Sequence, residues 1–182
     1  MAITLLRHAA LAHEYQGRYN GWTDLDIDPN LFDEKEVALL RLQKFDVIYS
    51  SDLVRCQQTL DMIGFQEYVT DERLREVRFK KEIEGLSFEE IEKLTSYIVK
   101  YLDKKKSWHK YTCAETPKEF KTRIKSFLAD IDPSKEILIC SHGGTLLRMM
   151  KILGHKKNKI AYLECVRMDN INIKNIRINN VV

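Results

Sequence analysis

Ala2-Ile3-Thr4-Leu5-Leu6-Arg7-His8 is an apolar run that stops on an arginine and a histidine, and Ile137-Leu138-Ile139-Cys140-Ser141-His142 repeats the pattern near residue 140. Short uninterrupted apolar runs read as strands buried on both faces, as in a parallel sheet covered by helices. Each run then delivers a histidine at the carboxyl end of its strand, the edge at which open α/β sheets bind ligands. A third run, Val47-Ile48-Tyr49-Ser50, leads into Ser51-Asp52-Leu53-Val54-Arg55 and brings an arginine to the same edge. Two imidazoles and two guanidiniums, those of Arg7 and Arg55, point to a pocket for a phosphoryl group, because the guanidinium fork matches phosphate oxygens.

Outward from these runs, strand-like and helix-like patterns alternate, which favours an α/β layer fold. Strands are expected over 3–6, 47–50, 68–70, 136–140 and 161–168. Ile171-Asn172-Ile173-Lys174-Asn175-Ile176-Arg177-Ile178 alternates at period two and reads as a last, half-buried strand after a turn at Asp169-Asn170. Helices are expected over 33–44, with Val37, Leu40 and Leu42, over 52–63 with Gly64 as the stop, and over 143–153 ending at Gly154. Ser87-Phe88-Glu89-Glu90 and Thr116-Pro117-Lys118-Glu119 are capping boxes. The first opens a helix carrying Phe88, Ile91, Leu94, Ile98 and Leu102 on one face, and the second a helix carrying Phe120, Ile124, Phe127 and Leu128. The expected architecture is a single domain over 1–182, a three-layer α/β/α sandwich with a mainly parallel sheet. Residues 80–115 form a helical insertion over the sheet edge, placed as a lid.

The 182 residues are 44% apolar and 31% charged with a formal net charge of +3. That balance is too weak to support nucleic-acid binding, and Lys104-Lys105-Lys106 and Lys156-Lys157 read as solvated faces. No apolar stretch approaches the roughly 18 residues of a bilayer span. Arg7 and His8 interrupt the first apolar run before it reads as a signal peptide. Cys56, Cys113, Cys140 and Cys165 have neither disulfide nor metal spacing and read as reduced thiols of a cytoplasmic protein, Cys140 and Cys165 within the core.

A phosphate monoester is a dianion at neutral pH. Arg7 and Arg55 supply two forks, and the helices beginning near Arg55 and after His142 turn free N–H groups toward the same region. Transfer without a metal needs a nucleophile, and an unprotonated imidazole serves. A second, protonated histidine stabilises charge on the phosphoryl oxygens. The leaving alkoxide needs a proton, which a carboxylic acid can give. Glu76 follows the strand over 68–70 and reaches the same edge. Arg18 and Asn20, in the loop after His8, are placed on the substrate side. His13 reads as a rim residue, His109 and His155 as solvent-facing, and Trp22 and Trp108 as aromatics of lid or core.

These blocks resemble the histidine phosphatase superfamily that includes the cofactor-dependent phosphoglycerate mutases. Leu5-Leu6-Arg7-His8 matches the family's first histidine block, with Ala9 in place of its glycine. Ser50-Ser51-Asp52-Leu53-Val54-Arg55-Cys56-Gln57-Gln58-Thr59, Glu72-Arg73-Leu74-Arg75-Glu76 with Glu84-Gly85, Ala114-Glu115-Thr116 and Cys140-Ser141-His142-Gly143-Gly144 follow in family order. The resemblance covers about residues 1–155. It implies a phosphoglycerate mutase-like fold, a phosphohistidine on His8, a phosphoryl group held by Arg7, Arg55 and His142, Glu76 as general acid and then base, and no metal or other cofactor. Departures include Glu14 at a position where relatives carry asparagine, and Lys80 and Ile83 in place of a glycine and a tryptophan.

The expected function is hydrolysis of a small phosphate monoester of metabolism. The insertion is short for a mutase, whose substrate carboxylate calls for extra basic residues. Alternatives are phosphoglycerate mutase-type transfer, α-ribazole phosphatase chemistry suggested by Gly17-Arg18-Tyr19-Asn20-Gly21-Trp22-Thr23-Asp24, and a non-catalytic regulatory protein on the same fold. Expected partners are a small phosphorylated metabolite, neither nucleic acid nor membrane, and at most a second copy, as monomer or homodimer.

Overall fold

A computed structural model of the protein describes residues 2–171. Five strands form one sheet in the order β3-β2-β4-β1-β5. They are β1 (Ala2–Arg7), β2 (Val47–Ser50), β3 (Val69–Thr70), β4 (Glu136–Ser141) and β5 (Cys165–Met168). β1, β2, β3 and β4 run parallel, and only β5 is antiparallel, against β1. The helices are α1 (Glu34–Arg41), α2 (Val54–Ile63), α3 (Phe88–Ile91), α4 (Lys105–Thr112), α5 (Pro117–Asp130) and α6 (Gly143–Ile152).

The strand side chains divide between two cores, as a period of two requires. Ile3, Leu5, Ile137 and Ile139 pack against α5 and α6 through Phe127, Leu128, Leu146 and Met149. Leu6, Leu138 and Cys140 face the other way, onto α1 and α2 through Val37, Cys56 and Leu60. This is the three-layer sandwich. Both faces of the central strands β1 and β4 are covered, so these two are largely apolar and buried, at about 1.5–3 kcal/mol for each buried aliphatic side chain.

Register decides where the functional groups emerge. Arg7 pairs with Ser141 and Ser50 with Cys140. The ladder continues one residue past the strands, His8 N donating to Ser141 O (3.0 Å) and Ser51 N to Cys140 O (2.9 Å). His8, Ser51 and His142 therefore leave the sheet side by side.

Caps agree with the sequence. Both capping boxes form, at Ser87 with Glu90 and at Thr116 with Glu119. Gly64 ends α2 at φ 103°, a left-handed turn that glycine adopts without strain.

Three expectations fail. The helix from Ser87 lasts only the single turn of α3, and the chain then bends, passes through a 3-10 segment (Val99–Asp103) and starts α4, which the sequence reading lacks. The stretch Thr95-Ser96-Tyr97-Ile98-Val99 is poor in helix formers. Burial does not follow one stripe: Ile98 and Leu102 are exposed, while Tyr97, Tyr101, Trp108 and Tyr111 gather around Ile83 and Ile91. The insertion is thus an aromatic cluster held by its own small core. Leu42 points to solvent, because α1 ends at Arg41. The strand expected over 161–168 begins only at Cys165, after a turn in which Leu163 has a φ of 59°. The alternating stretch after Asn170 lies outside the described residues, apart from Ile171. Among the described residues no helix is long and apolar enough to cross a membrane.

Candidate active site

All seven side chains singled out in the sequence line one cavity of about 420 Å³ at the carboxyl edge of the sheet: Arg7, His8, Arg18, Asn20, Arg55, Glu76 and His142. The His8 and His142 rings lie 5.1 Å apart, centroid to centroid. Both are almost wholly enclosed.

The His8 Nδ1 sits 2.7 Å from Ala9 O. A carbonyl only accepts, so Nδ1 carries the proton and donates it, and Nε2 keeps its lone pair. The methyl group of Ala9 is buried among apolar side chains and leaves that carbonyl in place. Burial, chiefly, and then the charges of Arg55 and Arg7 hold the His8 pKa well below its usual range.

His142 differs from expectation. Burial first, then the charges of Arg55 and of the neighbouring groups, push its pKa well down too, so the ring is neutral rather than protonated. Its Nδ1 accepts from Arg55 Nε (3.1 Å), and its Nε2 lies 2.9 Å from Ser51 Oγ, to which it donates. In this arrangement both ring nitrogens are engaged with the protein.

Arg55 is the largest fully buried side chain among the described residues. Its terminal nitrogens donate to Thr23 O and Gly21 O, both at 2.8 Å, so it draws the loop after His8 against α2. Further contacts from the same block secure that loop. Val54 N donates to Asp24 Oδ1, Ile27 N to Gln58 Oε1 and Ala9 N to Thr59 Oγ1. The Arg-x-x-Gln-Thr spacing puts all three side chains on one face of α2. Gly21 must be glycine here: a Cβ would meet Val77 O at 2.6 Å. Arg7 donates to Ile160 O (2.8 Å), and its buried Nε has no partner.

The helix N-termini are not free, contrary to expectation. Asp24 takes the first amide of α2. Glu76 takes those of α6, its Oε2 accepting from Gly144 N (2.8 Å) and its Oε1 from Thr145 N (3.0 Å). Carboxylates suit helix N-termini for the same reason phosphates do. A Cβ on Gly144 would stand 2.5 Å from Glu76 Oε1, which accounts for the second glycine after His142. Glu76 pairs with neither Arg75 nor Arg78; Arg75 is bound to Asp52.

Two elements escaped the sequence reading. Arg123, paired with Glu115 (2.7 Å), donates to the carbonyls of Arg73, Arg75 and Glu76 and so clamps the segment carrying Glu76. Tyr162 lies under the Arg7 guanidinium, 3.9 Å from carbon to ring centroid, and 5.5 Å from the His8 ring. The turn at Leu163 presents it there, and neither residue belongs to a legible motif. Arg18 and Asn20 reach the cavity but are tied elsewhere, Arg18 to Glu90 (2.6 Å) and Asn20 to Tyr15 O. Glu14 is exposed and lines a different recess. His13 and His155 are exposed, whereas His109 is half-buried against Glu115 O. Trp22 donates to Glu76 O, and Trp108 belongs to the insertion cluster.

The two neutral imidazoles make stability depend on pH. In the unfolded chain each takes up a proton near pH 6.5. Folded, each stays neutral to lower pH. Below pH 6.5 the unfolded state therefore binds up to two more protons, and stability, complete above that pH, falls as the pH drops toward the folded-state pKa values. The slope is about 1.4 kcal/mol per pH unit for each imidazole. Urea midpoints measured between pH 8 and pH 5 will fall for the native chain and flatten in the His8→Asn/His142→Asn double variant. Parallel curves for the two proteins would contradict this.

Comparison with known proteins agrees with the geometry. The protein is 34% identical over 163 residues to "Putative phosphoserine phosphatase 2" of Hydrogenobacter thermophilus, covering 82% of this chain and 76% of that one. The crystal structure of a phosphoserine phosphatase from Entamoeba histolytica, in complex with 3-phosphoglyceric acid, superposes with a TM-score of 0.73 at 25% identity, covering 91% of this chain and 89% of that one. A phosphoglycerate mutase from Thermus thermophilus shares the fold, with a TM-score of 0.68 at 23% identity over 93% and 94% of the two chains. The sequence model of the histidine phosphatase superfamily, branch 1, matches residues 3–180. A match spanning nearly the whole chain, on a mostly parallel sheet that brings both histidine blocks to one edge, means that the protein belongs to branch 1 of the histidine phosphatase superfamily.

Proposed function

We propose that the protein hydrolyses phosphate monoesters without a metal, through a phosphohistidine on His8. The observation that carries this reading is the state of His8, neutral and with its proton committed to Ala9 O, so that Nε2 is a free nucleophile within a cavity bounded by two guanidiniums. Nε2 attacks phosphorus and the P–O bond to the ester breaks; the dianion bound beside Glu76 favours its protonated carboxyl, which gives that proton to the departing oxygen. Water then attacks the phosphohistidine, its proton goes to Glu76 and the P–N bond breaks. Arg7, with donors to spare, binds the phosphoryl oxygens and Tyr162 supports its plane. Arg55 supplies positive charge from behind the loop it secures, and His142 holds Arg55 at Nε.

Hydrolysis and mutase chemistry part at the phosphoenzyme. Phosphate release from p-nitrophenyl phosphate in excess chelator, set beside bisphosphoglycerate-dependent isomerisation of 3-phosphoglycerate, measures both. Release that survives the chelator and exceeds isomerisation at least about a hundredfold is expected. Isomerisation as fast as release makes the protein a mutase, and no release from any ester removes the enzymatic reading.

A further inference from the structure

We propose that the cavity selects a phosphate monoester whose leaving group is a flat aromatic ring bearing no carboxylate, a selection that rests on the reaction above. Beyond the phosphoryl end, the walls are Leu11, Tyr15, Tyr19, Val77, Phe79 and Phe88. Tyr19 and Phe79 meet edge to face with centroids 5.1 Å apart, and Trp108 backs Phe88 at 5.7 Å, so these rings are braced and present fixed apolar surfaces. The volume of this open cavity, about 420 Å³, suits a ring-bearing small molecule rather than a bare three-carbon acid.

Charge points the same way. A carboxylate carried into such a recess needs a cation of its own. Arg7 and Arg55 adjoin His8 and are matched to the phosphoryl dianion. Arg18, the remaining cation of the lining, has its charge paired: its Nη1 donates to Glu90 Oε2 (2.6 Å) and Gly85 O (3.0 Å), and its Nε to Glu14 O (2.5 Å), which leaves Nη2 as its uncommitted nitrogen. Glu90 is fixed in turn by the capping box of α3, where Ser87 N donates to the same oxygen (2.7 Å). Asn20 commits one of its two amide hydrogens to Tyr15 O. The outer cavity thus offers rings and neutralised polar groups to whatever the phosphoryl group carries.

Phenylphosphonate and phosphonoacetate share the same head and differ in ring against carboxylate, and neither is hydrolysed. Calorimetric titration of the full chain with each is expected to show phenylphosphonate binding at least about tenfold tighter, a ratio worth about 1.4 kcal/mol. Phe88→Ala is expected to lower phenylphosphonate affinity about fivefold more than it lowers affinity for inorganic phosphate. Glu90→Gln keeps an oxygen for Ser87 N and releases the charge of Arg18, which is expected to improve phosphonoacetate binding by about threefold. Equal or tighter binding of phosphonoacetate by the native chain overturns the proposal, and so does an unchanged ratio in Glu90→Gln. Turnover that favours carboxylated esters would sink this selection and leave the chemistry of His8 standing. Phenylphosphonate bound by a chain that hydrolyses no ester would do the reverse.

Discussion

Replacing His8 by asparagine is expected to lower kcat on every phosphate ester by on the order of 10⁴-fold or more, the scale on which enzymes lose a nucleophile. Asparagine retains a donor for Ala9 O and adds no bulk to a site that is 5% exposed, so the fold survives. The variant can accept no phosphoryl group. An acid quench is the wrong way to look for one, because phosphohistidine hydrolyses in acid; native mass spectrometry at neutral pH after mixing with substrate is the right one. The native chain will show a phosphorylated species and His8→Asn none. A variant that retains activity within tenfold, at unchanged urea midpoint, would remove His8 from the reaction.

Glu76→Gln is expected to act through the leaving group. For an alkyl ester, whose alkoxide departs only with a proton, the first turnover falls by about 10²–10⁴-fold. For p-nitrophenyl phosphate, whose phenolate leaves unaided, the first turnover is nearly unchanged. Glu76 is also assigned to water, so steady turnover drops for both, and p-nitrophenyl phosphate gives a burst of product followed by slow release. Rapid-mixing absorbance resolves the two phases. Equal first-turnover losses on both esters would show that Glu76 only holds α6, through Gly144 N and Thr145 N, and transfers no proton.

Much of this site is legible in the chain because it sits where strands stop. A run such as Ile3-Thr4-Leu5-Leu6 is apolar on both faces, and the residue after it must emerge at the sheet edge whatever else the protein does. Arg7, His8 and His142 follow from that alone. Arg55 follows too, because a helix beginning just beyond β2 has to start at the same edge. The insertion resisted the same treatment. Its sequence carries apolar residues at helical spacing, but with Thr95-Ser96 and two β-branched residues in the middle, and a cluster of rings is as good a burial for them as a helix face.

By itself the sequence determined the layer order, the sheet edge at which the candidate site lies and five of the groups that line it, since hydrophobic runs and caps are properties of neighbours along the chain. Only the tertiary structure decided how those groups are employed: that His142 is neutral and bound to Arg55, that Glu76 occupies the start of α6, that Glu90 neutralises Arg18, and that Tyr162 lies under Arg7. The pairs run from Glu76 with Gly144, 68 residues apart, to Tyr162 with Arg7 at opposite ends of the described chain. Protonation, pairing and stacking depend on which buried partner arrives within about 4 Å, and that distance is set by folding, not by sequence separation.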